Sequence, residues 1–133
     1  MKFYIASSFA NKEKVRYASE QLKDLGHIQT YDWTRNERAS SFKELERIGQ
    51  FEKEAVLEAD ILIVLLPAGK GSHIEMGMAI GQGKKIYLHS ETDRVNDFET
   101  TSTFYHLPEV SIVIGTVDKL IKEAANSGAP VIY

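Results

Sequence analysis

The residues of this sequence best suited to chemistry lie at positions 69–81, Gly69-Lys70-Gly71-Ser72-His73-Ile74-Glu75-Met76-Gly77-Met78-Ala79-Ile80-Gly81. The stretch follows an apolar run, Ile61-Leu62-Ile63-Val64-Leu65-Leu66, and leads to another, Lys85-Ile86-Tyr87-Leu88. A glycine-rich turn between a buried strand and a helix lies at the carboxyl edge of an open parallel sheet, where ligands bind. Glycines at 69 and 71 leave the backbone open to close approach. Glu75, read as a first-turn residue of a helix from about Ser72 to Gln82, is expected to stay ionised beside the helix N-terminus and to serve as a carboxylate nucleophile. The same residues have a plain structural reading, because Ser72-x-x-Glu75 has the form of a capping box.

Other candidates carry similar double readings. Ser7 and Ser8 end the first strand, where they either cap the next helix or bind a ligand oxygen. Tyr4 is a core aromatic whose hydroxyl needs a partner. Glu52 lies on a charged helix face with Glu54 and Glu58. His73 is solvent-facing or functional with equal reason. The spacing at 69–75 matches neither the phosphate-binding G-x-x-x-x-G-K-[ST] pattern nor the dinucleotide G-x-G-x-x-G pattern, because position 74 is Ile. His27, His73, His89 and His106 lack metal-ligand spacing, so neither metal nor cofactor is expected.

The elements that must position these residues alternate. Residues 3–6 form a first strand. A helix from Lys12 has Val15, Ala18, Leu22 and Leu25 on one face and stops at Gly26. Residues 27–31 form a weak second strand. Residues 32–43 lack periodicity and read as a long binding loop holding Trp33, Arg35, Glu37 and Arg38. Leu45, Ile48, Ala55 and Ala59 mark a second helix, and strand three ends at Pro67. Strand four spans 85–88. An irregular stretch with a helical turn near 96–99 precedes strand five at 111–114, a last helix and a tail from 126 to 133. The alternation predicts a single α/β domain over residues 1–133. Its fold class is flavodoxin-like and three-layered, with five parallel strands in the order 2-1-3-4-5, which sets Ser7 and Ser8 beside the 69–75 turn.

Composition narrows the function. The chain has 133 residues, 43% of them hydrophobic and 26% charged, which suits one globular domain. It contains no Cys, which excludes thiol catalysis and fits a cytoplasmic protein. A net charge of −3 gives no basic field for nucleic acid. No apolar run approaches the roughly 20 residues that span a bilayer, so no membrane partner is expected, and the N-terminal run is too short for a signal segment.

With these residues in place, the chain resembles the nucleoside 2-deoxyribosyltransferase family, including its 2′-deoxynucleoside 5′-monophosphate N-glycosidase branch. Three segments in family order carry the resemblance. They are Tyr4-Ile5-Ala6-Ser7, Glu52-x-x-x-Val56-x-x-Ala59-Asp60 and, the most specific, Gly71-Ser72-His73-Ile74-Glu75-Met76-Gly77-Met78-Ala79. The resemblance implies a nucleoside or nucleotide substrate whose anomeric carbon is attacked by Glu75. Tyr4 would orient Glu75, and Glu52 would protonate the leaving base. Ser7, Ser8, Gly69, Gly71 and Ser72 would line the sugar or phosphate site, and Trp33 would stack a base. It also implies a homodimer or higher homo-oligomer, with residues 96–104 and Tyr133 as candidates to complete a neighbour's site. Two departures stand out. Gly69 occupies a place where transferases often carry Asp, and Glu52 one where Asp is common. Three functions follow: cleavage or exchange of an N-glycosidic bond, a non-catalytic nucleotide-binding or sensing module of the same fold (with NAD cleavage of the kind seen in TIR-like domains less favoured), and an interaction scaffold in which Glu75 only caps.

Overall fold

The computed structural model describes residues 1–127. Five strands form one parallel sheet in the order β2-β1-β3-β4-β5: β1 Lys2–Ser7, β2 Ile28–Gln29, β3 Ile61–Leu65, β4 Lys85–Ser90 and β5 Val110–Ile114. Helices α1 (Lys12–Asp24) and α4 (Val117–Ala125) pack together, as do α2 (Phe42–Glu58) and α3 (Lys70–Gly81). The chain thus has the expected order and class. Strands buried on both faces read as unbroken apolar runs, and all five β3 residues are buried, as are Phe3, Tyr4, Ile5 and Ala6 of β1. In the β1–β3 register Ser7 lies opposite Leu65, and the Ser7 hydroxyl donates to the Leu65 carbonyl at 2.8 Å. The strand order reverses between these two strands, which opens a crevice at their carboxyl ends.

Local signals explain most boundaries. Gly26, at φ 94°, closes α1 in a Schellman motif: its N–H donates to Lys23 O and the next N–H, of His27, to Leu22 O. Val15, Ala18 and Leu22 are buried, but Leu25 is 61% exposed because the helix has already ended. Helix α2 starts on a Ser-x-x-Glu signal: Ser41 accepts from Glu44 N–H at 3.1 Å, while the Glu44 carboxylate accepts from Ser40 N–H at 2.8 Å. Only the second half of α2 packs on the sheet, through Ala55 and Val56, so Leu45 on the expected inner face is exposed.

Three expectations are corrected. The second strand shrinks to Ile28–Gln29, an edge with a single ladder partner. The helical turn expected near 96–99 lies at Asp93–Asn96, and a second 3₁₀ turn spans Thr103–His106. Within the 32–43 loop, Trp33–Arg35 forms a capped 3₁₀ turn, its Thr34 N–H bonded to Asp32. Arg16 braces that turn through the Thr34 carbonyl at 3.0 Å.

Candidate functional site

The crevice between β1 and β3 holds a cleft of about 310 Å³ lined by Tyr4, Ser7, Ser8, Phe9, Trp33, Glu52, Gly69, Gly71, Ser72 and Glu75. Nine of these ten residues are expected from sequence. Phe9 is the addition: an aromatic just past the carboxyl end of β1, 55% exposed, with its ring 6.2 Å from that of Trp33. Its position after the strand was the signal available. Phe9, Trp33 and Glu52 also line an adjoining, more apolar chamber of about 420 Å³ that continues to Asn36, Arg38, Leu45 and Ile48. Arg35 lines neither chamber and pairs with Asp32. Tyr133 lies outside the described residues.

Each side chain reaches the cleft from a fixed element. Tyr4 stands in β1, fully buried. Trp33, 8% exposed, donates its indole N–H to the Ile5 carbonyl at 2.6 Å, which locks a loop residue to the central strands. Neither Ser8 nor Asn11 caps with its side chain. Instead, Asn11 donates to Ser7 Oγ and to Pro67 O, both at 3.0 Å, and this ties the exit of β1 to the exit of β3.

The capping-box reading of Ser72 and Glu75 does not hold. Helix α3 begins at Lys70 with Gly69 as its N-cap, so Ser72 is the third helical residue and Glu75 the sixth. Glycine disfavours helix interiors, but Gly71 stands in the first turn of α3. A Cβ on Gly69 or Gly71 would meet nothing within 4 Å, so side chains there would project into open space.

Glu75 therefore sits a turn deeper than the sequence suggests and is only 6% exposed. Its Oε2 and the Tyr4 hydroxyl are buried without a hydrogen-bond partner among the described residues. The two groups are neighbours that do not meet hydrogen-bond geometry. Burial pushes the Glu75 carboxyl up to about 8; the nearby Tyr4 hydroxyl pulls it down and the Glu52 charge adds to the rise. Desolvation opposes the dipole effect expected to keep Glu75 ionised, and that effect fades beyond the first turn. Burial also raises Glu52, which is half-buried rather than on a solvated face. Tyr4 is raised by burial first and by the Glu75 charge second. Orphaned buried polar atoms are rare in folded proteins and call for an explanation. Here they converge on one cleft. Among the described residues no cluster of three His, Asp or Glu is placed to hold a metal ion, and no helix is long and apolar enough to cross a membrane.

The fold has known counterparts. The Clostridium botulinum CMP N-glycosidase BcmB is similar with a TM-score of 0.61 at 18% identity, over 93% of this chain and 98% of that one. A conserved protein from Enterococcus faecalis is similar with a TM-score of 0.66, also at 18% identity, over 92% and 96%. The chain thus has a nucleoside 2-deoxyribosyltransferase-like fold. No protein-family model matches the chain, and no curated protein matches it.

Proposed function

We propose that this protein cleaves or exchanges the N-glycosidic bond of a (deoxy)nucleoside or its 5′-monophosphate, with Glu75 as nucleophile. The observation that carries this reading is the pair of orphaned polar atoms, Glu75 Oε2 and Tyr4 Oη, on the floor of a cleft that also holds Glu52 and three serines. Buried polar groups without a protein partner that line a cleft are available to a substrate. That the Clostridium botulinum neighbour is a CMP N-glycosidase supports a nucleotide substrate.

In this mechanism an ionised Glu75 oxygen attacks the anomeric carbon. The carbon–nitrogen bond breaks, and its electron pair leaves on the base nitrogen, which takes a proton from Glu52. The glycosyl ester is then opened by water or by a second base; Glu52 accepts the attacker's proton and Glu75 leaves as carboxylate. One hard step becomes two easier ones. The productive pair holds one proton, and two neighbouring carboxyls whose burial raises both favour such sharing. Tyr4 orients Glu75. Ser7, Ser8, Ser72 and the backbone at Gly69 and Gly71 hold sugar or phosphate oxygens, and the base lies against Phe9 and Trp33 toward the apolar chamber. In this reading the protein acts in the cytoplasm as a homo-oligomer.

The experiment is incubation with a panel of deoxynucleosides, ribonucleosides and their 5′-monophosphates, with and without an acceptor base, followed by chromatography of the released base. Release by the wild type and none by Glu75→Ala is the expected result. Binding of these compounds without release from any of them would replace the enzyme by a sensing module.

A further inference from the structure

Helix α3 carries Glu75, yet its N-cap is Gly69, which has no side chain with which to cap. The first N–H groups of a helix have no partner within it, and an uncapped start frays. Here one residue closes the turn twice. The His73 backbone N–H donates to the Gly69 carbonyl at 3.2 Å, and His73 Nδ1 lies 2.7 Å from the same oxygen. A carbonyl oxygen only accepts, so Nδ1 carries the proton. In the neutral ring Nε2 is then an acceptor, and the Tyr105 hydroxyl, 2.7 Å away, donates to it. The two rings stack with centroids 5.9 Å apart and 26° between planes. Tyr105 belongs to the 3₁₀ turn Thr103–His106 between β4 and β5, far from α3 in sequence. One imidazole thus closes the first turn of α3 and fastens it to a separate segment. Gly69, Gly71 and Ser72, within that turn, line the cleft, and Glu75 follows three residues later.

We propose that His73, held by Tyr105, is a positioning residue for the Glu75 cleft: it doubles the bond that closes the first turn of α3 at the Gly69 carbonyl and so fixes where α3 begins. Neither side chain lines the Glu75 cleft, so both act through the backbone of residues 69–72 and through Glu75. The inference rests on reading the cleft as a site of glycosyl chemistry. A nucleophile must be held within roughly 0.5 Å of its productive position, and misplacement by about 1 Å costs on the order of 100-fold in rate.

Three variants of the full chain test this. His73→Ala removes both side-chain bonds. His73→Asn puts an amide nitrogen where Nδ1 stood, so it retains the bond to Gly69 but not to Tyr105. Tyr105→Phe removes the outer bond alone. In the base-release assay, His73→Ala is expected to lower kcat about 10- to 100-fold, with a smaller change in KM. His73→Asn recovers part of that loss, Tyr105→Phe loses less than His73→Ala, and the His73→Ala, Tyr105→Phe double variant is no worse than His73→Ala. A His73→Ala protein that melts lower but turns over like the wild type overturns the proposal, as does full additivity in the double variant. If the wild type releases no base from any substrate, the functional reading fails by itself. Amide hydrogen exchange then decides the clasp: faster exchange in His73→Ala confined to residues 73–75 supports it, and unchanged or uniformly accelerated exchange overturns it.

Discussion

Replacing Glu75 by Gln abolishes the proposed nucleophile, yet it should make the protein more stable, by an amount that grows with pH. In the folded chain the Glu75 carboxyl titrates at about 8, against 4.5 for an ordinary glutamate. Below pH 4.5 both the native and the unfolded chain hold the proton, and the group makes no pH-dependent contribution. Between 4.5 and 8 the unfolded chain releases the proton and the native chain keeps it. Stability then falls by about 1.4 kcal/mol per pH unit. Above 8 both states are ionised, and the accumulated loss levels off at about 5 kcal/mol. Gln keeps the shape and has nothing to titrate, so the variant escapes this loss. Glu52 is present in both chains, and most of its own titration cancels in the comparison. At pH 7 the gap should be about 3 kcal/mol, on the order of 10 °C in Tm for a chain of this size. Urea denaturation followed by circular dichroism at pH 5, 7 and 9 measures it. A constant offset between the two proteins from pH 5 to pH 9 would refute the argument, because it would mean that the native carboxyl ionises as easily as an exposed one.

Further outcomes follow from the same geometry. Tyr4→Phe removes a buried hydroxyl that has no partner, so melting should show stability unchanged or slightly raised while base release slows. Glu52→Gln removes the proposed proton donor and should lower turnover about 10²- to 10⁴-fold. Wild-type kcat/KM should fall above about pH 8, where the pair loses its shared proton. In Glu52→Gln, with a substrate whose base leaves without protonation, activity should instead rise with pH, with its midpoint below 8 because the Glu52 charge no longer raises Glu75. Trp33→Phe leaves the Ile5 carbonyl without its indole donor and should cost about 1–3 kcal/mol in chemical denaturation.

The sheet was legible because parallel strands covered on both faces cannot hide: Phe3–Ala6 and Ile61–Leu65 read as buried runs, and the alternation of elements admits few orders. The meeting of Ser7 with the 69–75 turn followed from that order alone. Local patterns were less dependable where two sites compete for one motif. Ser-x-x-Glu occurs at Ser41 and at Ser72; the first caps α2 and the second lies inside α3, which already starts at Lys70. Trp33 reads as part of an aperiodic binding loop, since the carbonyl that anchors it is 28 residues away. The Glu75 titration was illegible for a related reason. Its desolvation arises where β1, α2 and α3 close around one carboxylate, and no window of sequence contains all three.

Among the described residues, every one that lines the two chambers falls between Tyr4 and Glu75. Strands β4 and β5 and helix α4 come later in the chain and contribute none of them. The described chain is thus divided along its length: an early part that lines the cleft, and a later part that completes the layers beneath it. Substitutions after Gly81 reach the cleft walls only through packing, as at Ile86 and Leu88, buried in the strand that pairs with β3. Tyr105 is the exception, because its hydrogen bond to His73 carries the later part's influence back to the start of α3.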